Sequence, residues 1–469
     1  MRTNIAVSHP QPRTHEGALA PRISKLQELR RSVMSCMLWE NEFYEDGVTI
    51  ADRIATLARE LPFEQVAKIA VEAREKMKLR HVPLWLAVQL TERKNVGAQM
   101  GDLVTRVVQR ADELTEFLSL YWKRFPAKGR KQKGLTKQIK RGLALAFQKF
   151  DEYQLAKYDR AGAVRLRDAL FLCHAKPRDE AQKALWGRLI NNELTTPDTW
   201  EVALSGGADK KATFERLMAE GKLGGLAFVR NLRNMLEAGI DKKTVLDYVE
   251  RANLSMVLPF RFIAAARVVP QWEDVCDKML FRCASQLAKL PGKTVVIIDI
   301  SGSMYSGGNV SKHSDMTRVD AAGALAAVIR EQCEDVAIYA TAGDDYRRTH
   351  ATKAVPSRRG VSLVDVFSKQ EMRHAVGGGG IFMVQCMDYV AKEENGKADR
   401  VIVLTDEQDT SGEDAKLQPD KANAFGTYNY LINVASARNG IGYGKKWLHI
   451  DGWSEHVVEY ILANEVAAN

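Results

Sequence analysis

From residue 24 to residue 290, apolar residues recur at steps of three and four positions, which is the spacing of one face of an α-helix. Leu103, Val107, Leu114, Phe117 and Leu118 show the pattern. It predicts a succession of helices joined by short loops, as in an α-solenoid of stacked helical hairpins. The predicted helices cover residues 50–59, 62–78, 101–121, 139–150, 163–173, 183–194, 214–219 and 226–238.

The pattern changes after the Pro291-Gly292 pair, a plausible boundary between two domains. Short apolar runs at 294–300, 336–340 and 401–405 are typical of buried strands, and the segments 318–333 and 381–392 between them are typical of helices. This alternation predicts a parallel sheet with helices on both faces. We therefore expect a flexible N-terminus at 1–23, a helical-repeat domain at 24–290 and an α/β domain at 291–469.

Charge divides unevenly between these two predicted domains. The chain has 469 residues and a net charge of +9, of which residues 1–290 contribute +14 and residues 291–469 contribute −5. Phosphate backbones attract such an excess of cations, so the helical part is expected to have a polyanionic partner.

The cysteines and the N-terminal residues bear on the compartment. The six cysteines are scattered and form no CxxC pair, which argues against a zinc site or a dense disulfide framework and indicates reduced core thiols. Residues 1–21 are polar and lack the apolar run of a signal peptide or a membrane span. We expect a cytoplasmic protein that is not bound to a membrane.

Two acidic groups follow strands of the predicted sheet. The first strand ends in Asp299-Ile300-Ser301-Gly302-Ser303, and the run 401–405 ends at Asp406. Ligands of open α/β sheets bind at the carboxyl ends of the strands, and Mg²⁺ prefers carboxylate, hydroxyl and water oxygens. The pattern resembles the metal-ion-dependent adhesion site of von Willebrand factor A domains. It predicts that Asp299, Ser301, Ser303 and Asp406 bind a divalent cation, most naturally Mg²⁺.

One position departs from that family. Its members usually supply a Thr from a Gly-rich loop, but here Gly377-Gly378-Gly379-Gly380 leads to Ile381, which offers no side-chain oxygen. The site is therefore expected to bind its ion weakly, and the alternative is a vestigial site whose Asp and Ser only cap the following helix. Metal-assisted hydrolysis would need a general base, a phosphate-binding Lys or a nucleophile elbow, none of which accompanies the pair, so we expect no enzyme activity.

The densest run of positive charge lies between Trp122 and Lys149, and no acidic residue occurs between Glu116 and Asp151. Such a run binds phosphates without reading sequence, and the alternative is a merely solvated surface. Tyr121, Trp122 and Phe125 open the run and either stack on unpaired bases or belong to the core. The candidate RNA-binding residues of the run are Lys123, Arg124, Lys128, Arg130, Lys131, Lys133, Lys137, Lys140 and Arg141.

Four segments carry a resemblance to the Ro ribonucleoprotein (TROVE) family, and the resemblance covers nearly the whole chain. They are QELRR at 27–31, KLRHVP at 78–83, VRLRDALFLCHAKP at 164–177 and GLAFVRNL at 225–232. The resemblance implies a ring of HEAT-like α-helical repeats closed by a von Willebrand factor A domain. It also implies RNA contacts at Lys157, Arg160 and His174, with Arg165, Arg167 and Lys176 as neighbours.

This resemblance implies a noncatalytic RNA-binding protein. Family members hold the single-stranded ends of misfolded structured RNAs in the ring and bind small noncoding Y RNAs on its outer surface. Bacterial members suggest a complex with an exoribonuclease such as polynucleotide phosphorylase. Two rivals stay open: a protein-interaction adaptor whose metal site grips a partner carboxylate, and a metal-dependent hydrolase.

Overall fold

The computed structural model describes the chain with several gaps and shows two compact units. One unit is formed by residues 51–253, and the other by residues 1–50 together with 254–469. We call them the helical unit and the α/β unit. The described residues are 12–14, 17–20, 22–34, 46–129, 131–255, 257, 260–285, 289–306, 316–412, 414, 416–435, 440, 446–452 and 456–468.

Helices occupy the first part of the chain, as the three- and four-residue spacing predicts. They are α1 (Lys25–Met34), α2 (Gly47–Glu60), α3 (Phe63–Glu75), α4 (His81–Leu90), α5 (Ala98–Val107), α6 (Asp112–Arg124), α7 (Lys137–Phe147), α8 (Glu152–Tyr158), α9 (Leu166–Cys173), α10 (Glu180–Asn191), α11 (Trp200–Ser205), α12 (Lys210–Ala219), α13 (Gly225–Arg230), α14 (Leu232–Glu237), α15 (Lys242–Val249), α16 (Phe260–Val268) and α17 (Glu273–Ser285).

The predicted single helix at 101–121 is wrong, since the structure has α5 and α6 with a break between them. The cause is the fully buried Glu113, whose carboxylate accepts the backbone N–H groups of Gln109 (2.8 Å) and Arg110 (3.0 Å). The same carboxylate accepts from Arg74 at 2.7 Å. A buried carboxylate needs such partners, and supplying them turns the backbone out of the helix.

The α/β unit contains the predicted parallel sheet, in the strand order β3-β2-β1-β4-β5-β6. All neighbouring pairs are parallel except β2 and β3, which form an antiparallel hairpin at one edge. The central strand β1 is buried from Val295 to Asp299, as expected for a strand covered on both faces. The strands are β1 (Leu290–Asp299), β2 (Cys333–Asp344), β3 (Thr349–Ala354), β4 (Ala398–Thr405), β5 (Gly426–Asn433) and β6 (Leu448–Asp451), and the helices are α18 (Gly302–Ser306), α19 (Arg318–Gln332), α20 (Gly360–Ser368), α21 (Gln370–Ala375), α22 (Met383–Glu393) and α23 (His456–Ala468).

Residues 1–50 and 254–290 precede the sheet in the sequence but belong to the α/β unit. The division between the units therefore differs from the predicted boundary at residue 290. Helix α16 is joined to α19 by Arg267, which donates to Asp320 at 2.6 Å. In contrast to the predicted flexible N-terminus, the described part of residues 1–23 is packed: Ala18 and Ala20 are fully buried, and the Thr14 hydroxyl donates to the carbonyl of Asp409 at 2.9 Å.

Candidate functional site

The carboxyl edge of the sheet brings together the residues predicted to bind a metal. β1 and β4 are parallel neighbours, with Ile298 opposite Leu404, so Asp299 and Asp406 emerge at the same edge. Both carboxylates are buried, as are the side chains of Ser301 and Ser303. The two hydroxyls lie 3.2 Å apart, and the Asp299 carboxylate accepts from the backbone N–H of Ser301 at 2.8 Å.

The electrostatics of this edge favour a cation. Burial and the nearby Asp406 carboxylate raise the pKa of Asp299 to about 7. Burial also raises the pKa of Asp406, against the opposing effects of the Ser303 hydroxyl and the Arg318 guanidinium. Two buried carboxylates that disfavour each other's charged forms are a setting in which a bound divalent cation stabilises both.

The donors therefore fit a divalent cation with few protein ligands. The described parts of the chain contain no group of three or more His, Cys, Asp or Glu side chains arranged to hold a metal. The candidate site has two carboxylates, and its other protein oxygens are hydroxyls, a composition that suits Mg²⁺ with several waters better than a transition metal. Assignment of Asp299, Ser301, Ser303 and Asp406 as ligands stays a prediction.

Ile381, which stands where the family usually has a Thr ligand, lies in the hydrophobic core of the α/β unit. Its side chain is 1% exposed and packs in a cluster that includes Val295, Val403 and Met387. Its backbone carbonyl accepts from the backbone N–H (2.9 Å) and the hydroxyl (3.0 Å) of Thr410. The sequence did not indicate this contact, because Thr410 follows β4 and is 29 positions away from Ile381.

The four glycines hold the candidate ligands through close backbone contacts. The Gly302 N–H donates to the Gly379 carbonyl (2.9 Å), and the Gly379 N–H donates to the Gly343 carbonyl (3.1 Å). A Cβ at Gly379 would come within 2.8 Å of that same Gly343 carbonyl, and one at Gly380 within 1.9 Å of Thr410. The run of glycines therefore lets the loop pass between the DxSxS segment and the β2–β3 hairpin.

A buried ion cluster next to Asp406 was not predicted from the sequence. Glu407 is fully buried with a left-handed φ of 63°, and its carboxylate accepts from Arg31 of α1 and contacts His449 of β6. Burial raises the pKa of Glu407, but Arg31 and His449 outweigh burial and lower it. Asp451 also faces the His449 ring, at 3.5 Å. These contacts fix the backbone immediately after a candidate ligand.

The basic run of the helical unit lies at the end of α6, in the following loop and on α7. Lys128 and Lys131 face each other in a two-residue bridge, with backbone hydrogen bonds of 3.1 and 3.2 Å. Lys128, Lys131 and Lys137 are exposed, and no acidic side chain of the described residues pairs with them. Lys123 is also exposed and Lys140 is half-buried. Arg130 lies outside the described residues.

Other cations of the run are engaged with acids or backbone. Glu92 accepts from Lys133 at 2.7 Å and from Arg124 at 3.1 Å. Arg141 lies 3.4 Å from Asp102. The run is therefore not uniformly available: its loop and the start of α7 offer the more accessible cations.

The aromatic residues that open the run are structural. Tyr121 is 1% exposed and its hydroxyl donates to the Gly134 carbonyl at 3.0 Å. Trp122 donates from its indole nitrogen to the Lys133 carbonyl at 3.1 Å, and the Lys133 ammonium lies 3.6 Å from the Phe125 ring centre. These contacts shape the basic loop, in agreement with the core alternative for Tyr121.

The residues carried over from the family resemblance lie on α8, α9 and their loops. His174 ends α9 in a left-handed conformation (φ 54°) with an exposed side chain, and Lys176 and Arg160 are exposed as well. Arg165 donates to Asp159 at 2.8 Å, which orders the loop before α9. The half-buried Lys157 and Arg167 complete the set. Their RNA contacts stay a prediction.

In the described parts of the chain, no helix has the length and apolar character needed to cross a membrane. The cysteines among the described residues, at positions 173, 276, 283, 333 and 386, form no disulfides. Cys36 lies outside the described residues.

Known proteins resemble this chain in part of its sequence and in its fold. Residues 191–286 match the model of the TROVE domain family. Telomerase protein component 1 of Mus musculus is 32% identical over 111 residues, which are 22% of this chain and only 4% of that much longer protein. The crystal structure of the RO (RSR) protein of Deinococcus radiodurans superposes with a TM-score of 0.57 at 15% identity, covering 92% of this chain and 97% of that one.

At 15% identity the structural likeness shows the fold alone, and it confirms the predicted fold class: a multidomain protein with helical repeats and a C-terminal α/β domain. The sequence resemblance to the TROVE family is likewise confirmed over residues 191–286, which match the TROVE domain model.

Proposed function

We propose that this chain is a noncatalytic RNA-binding protein that binds the single-stranded ends of misfolded structured RNAs and small noncoding RNAs of the Y type. It would act in RNA quality control or as the scaffold of a ribonucleoprotein. The observation that carries the proposal is the cluster of exposed cations in the helical unit, with Lys128, Lys131 and Lys137 not paired with acids of the described residues. The TROVE domain match supports it.

The chemistry of the surface suits RNA backbone contacts. Exposed lysines bind phosphates as compact charges without reading the bases, so the affinity they provide falls as salt rises. Sequence-tolerant binding of unpaired RNA needs, in addition, groups that stack on bases. The exposed ring of His174 is one such group, so the proposal predicts that a frayed or tailed RNA binds more tightly than a blunt duplex.

The carboxyl edge of the sheet would contribute differently. Asp299, Ser301, Ser303 and Asp406 would hold a divalent cation, most naturally Mg²⁺, and a bound cation there offers an open position to an oxygen ligand. The bound cation would stabilise the buried carboxylates of Asp299 and Asp406. An exoribonuclease such as polynucleotide phosphorylase is a further proposed partner, which would act on the RNA that the chain presents.

A gel-shift titration tests the RNA-binding proposal. A hairpin RNA with an unpaired 3′ extension should bind more tightly than the same hairpin with a blunt end. Equal affinities for the two RNAs would contradict the preference for single-stranded ends, and absence of binding to both would overturn the proposed function. Sequencing the RNAs that copurify with the protein would then identify the natural ligands and show whether Y-type RNAs are among them.

A further inference from the structure

Helix α9 exposes an apolar pair on the side away from the core of the helical unit. Leu166, Ala169, Leu170 and Cys173 form its buried face, at the spacing expected of an amphipathic helix. Phe171 is 58% exposed, and the next residue, Leu172, is 38% exposed. Burial of an aromatic ring stabilises a fold, so a ring this exposed contributes little to the stability of the helical unit.

A positive side chain lies on the same side of α9 as Phe171. Arg167 precedes Phe171 by four residues and therefore shares that side of the helix. Its side chain is 39% exposed, and its guanidinium lies 3.9 Å from the carboxylate of Asp168. The exposed side of α9 therefore carries a cation next to the ring.

The segment after α9 adds further exposed groups close to Phe171 in the chain. The Lys176 carbonyl accepts from the side-chain amide of Gln148 at 3.0 Å, which fixes the segment against the end of α7. The side chains of His174 and Lys176 are exposed.

We propose that Phe171 is a stacking residue for an unpaired base of single-stranded RNA, whose flanking phosphates lie against Arg167 and Lys176. An exposed aromatic ring bordered by cations has the chemistry for this ligand, since every base has a π-face and every linkage carries a negative charge. The surrounding positive charge favours a nucleic acid strand over a second copy of the same surface. The inference rests on the proposed function and assigns it a contact that the family resemblance does not supply.

The test uses the full-length chain, with fluorescence anisotropy on a hairpin RNA that has a 3′ tail of several nucleotides. Phe171→Leu keeps an apolar side chain and removes the ring, and Phe171→Trp keeps a ring. Loss of one stacked base should weaken binding of the tailed RNA by about 5-fold to 100-fold in Phe171→Leu. Phe171→Trp should retain the affinity, and Val202→Ala, at a 39% exposed apolar residue of α11, is the matched control that should leave it unchanged.

A second readout reports stacking itself. With 2-aminopurine placed at successive tail positions, one position should lose fluorescence on binding to the wild-type chain and regain it with Phe171→Leu. The slope of affinity against salt should stay the same in that variant, because every cation that faces a phosphate is still present.

The outcomes separate this inference from the proposed function. If the wild-type chain binds the tailed RNA and Phe171→Leu binds it equally well, with the same quenching, the stacking role is wrong while RNA binding stands. If Val202→Ala weakens binding as much as Phe171→Leu, the effect is not specific to the ring and the inference fails. If the wild-type chain binds no tailed RNA, the proposed function itself fails.

Discussion

Charged side chains are buried at the carboxyl edge of the sheet in the α/β unit, whereas those of the basic run in the helical unit lie mainly at the surface. Arg31 and Glu407 are both 0% exposed in their ion pair. In the helical unit, Arg216 and Asp198 form a comparable pair at 42% and 40% exposure. The first of these arginine–carboxylate pairs is therefore buried in the α/β unit, and the second is exposed to water in the helical unit.

The difference between the two regions is one of solvation. A buried charge has lost its water and depends on its protein partners, so its removal leaves another buried charge uncompensated. An exposed charge keeps its water, adds little to stability and stays available to a phosphate. We infer that the sheet edge serves stability and cation binding, and that the basic run serves RNA binding.

The largest expected effect comes from breaking the buried pair. Arg31→Met leaves Glu407 buried without its guanidinium and should destabilise the α/β unit by about 3 to 5 kcal/mol. Arg216→Met, in the exposed pair, is the control and should leave the stability almost unchanged, because both charges keep their water. Hydrogen exchange of peptides from β4 and β5 measures the α/β unit separately from the helical unit. Equal losses of stability in the two variants would contradict the proposed difference between the buried and the exposed pair.

Metal binding should be the next largest effect. A cation at a concentration 100 times its Kd stabilises the state that binds it by about 2.7 kcal/mol. Thermal scans with millimolar Mg²⁺ or Mn²⁺ should show a rise in unfolding temperature that Asp299→Ala abolishes and that Asp420→Ala, at an exposed acid, retains. RNA affinity should be unchanged in Asp299→Ala. A wild-type chain indifferent to both metals would favour the vestigial alternative.

Stability of the α/β unit should also depend on pH through His449. Burial alone lowers the pKa of His449, but the carboxylates of Glu407 and Asp451 outweigh burial and raise it to about 9, above the ordinary value of 6.5. The folded state then holds a proton that the unfolded state releases, so this stabilisation is complete below pH 6.5 and is lost as the pH rises through about 9. The loss should be on the order of 3 kcal/mol, comparable with the metal effect, because the pKa differs between 6.5 and about 9 and each pKa unit corresponds to about 1.4 kcal/mol.

Unfolding curves between pH 6 and pH 10 check this expectation. His449→Gln should flatten the decline because the titrating group is gone. The prediction fails if the variant and the wild-type chain lose stability equally over that range.

The smallest effect per residue is expected for the basic run. Five substitutions to Gln should weaken RNA binding and flatten its salt dependence by about 0.7 in log–log slope for each single-strand phosphate that the variant no longer neutralises. The five positions are Lys131, Lys133, Lys137, Lys140 and Arg141. Since Lys133 and Arg141 are paired with Glu92 and Asp102, their share of the change should be smaller than that of Lys131 and Lys137.

A matched variant at exposed cations elsewhere in the helical unit is the control. It replaces Lys183, Lys210, Lys211, Arg233 and Lys243 by Gln. An unchanged slope in the first variant would mean that the run is only a solvated surface. Equally weakened binding in both variants would mean that affinity follows net charge rather than this site.

The sequence by itself was sufficient for the features that follow from local patterns. Apolar spacing separated the helical part from the α/β part. It also identified β1 and β4, and parallel pairing then placed Asp299 and Asp406 at one edge. The absence of a side-chain oxygen at Ile381 was equally visible.

Only the tertiary structure decided the contacts between residues far apart in the chain. Arg31 and Glu407 are separated by 376 positions, and the break between α5 and α6 depends on Glu113 meeting Arg74, 39 positions away. The exposure of Phe171, an apolar residue inside an amphipathic helix, is a further case. Periodicity indicates which face of an element is apolar. Packing between elements decides which partner a buried charge meets and whether a given aromatic ring is buried or exposed. Such packing leaves no periodic trace in the sequence.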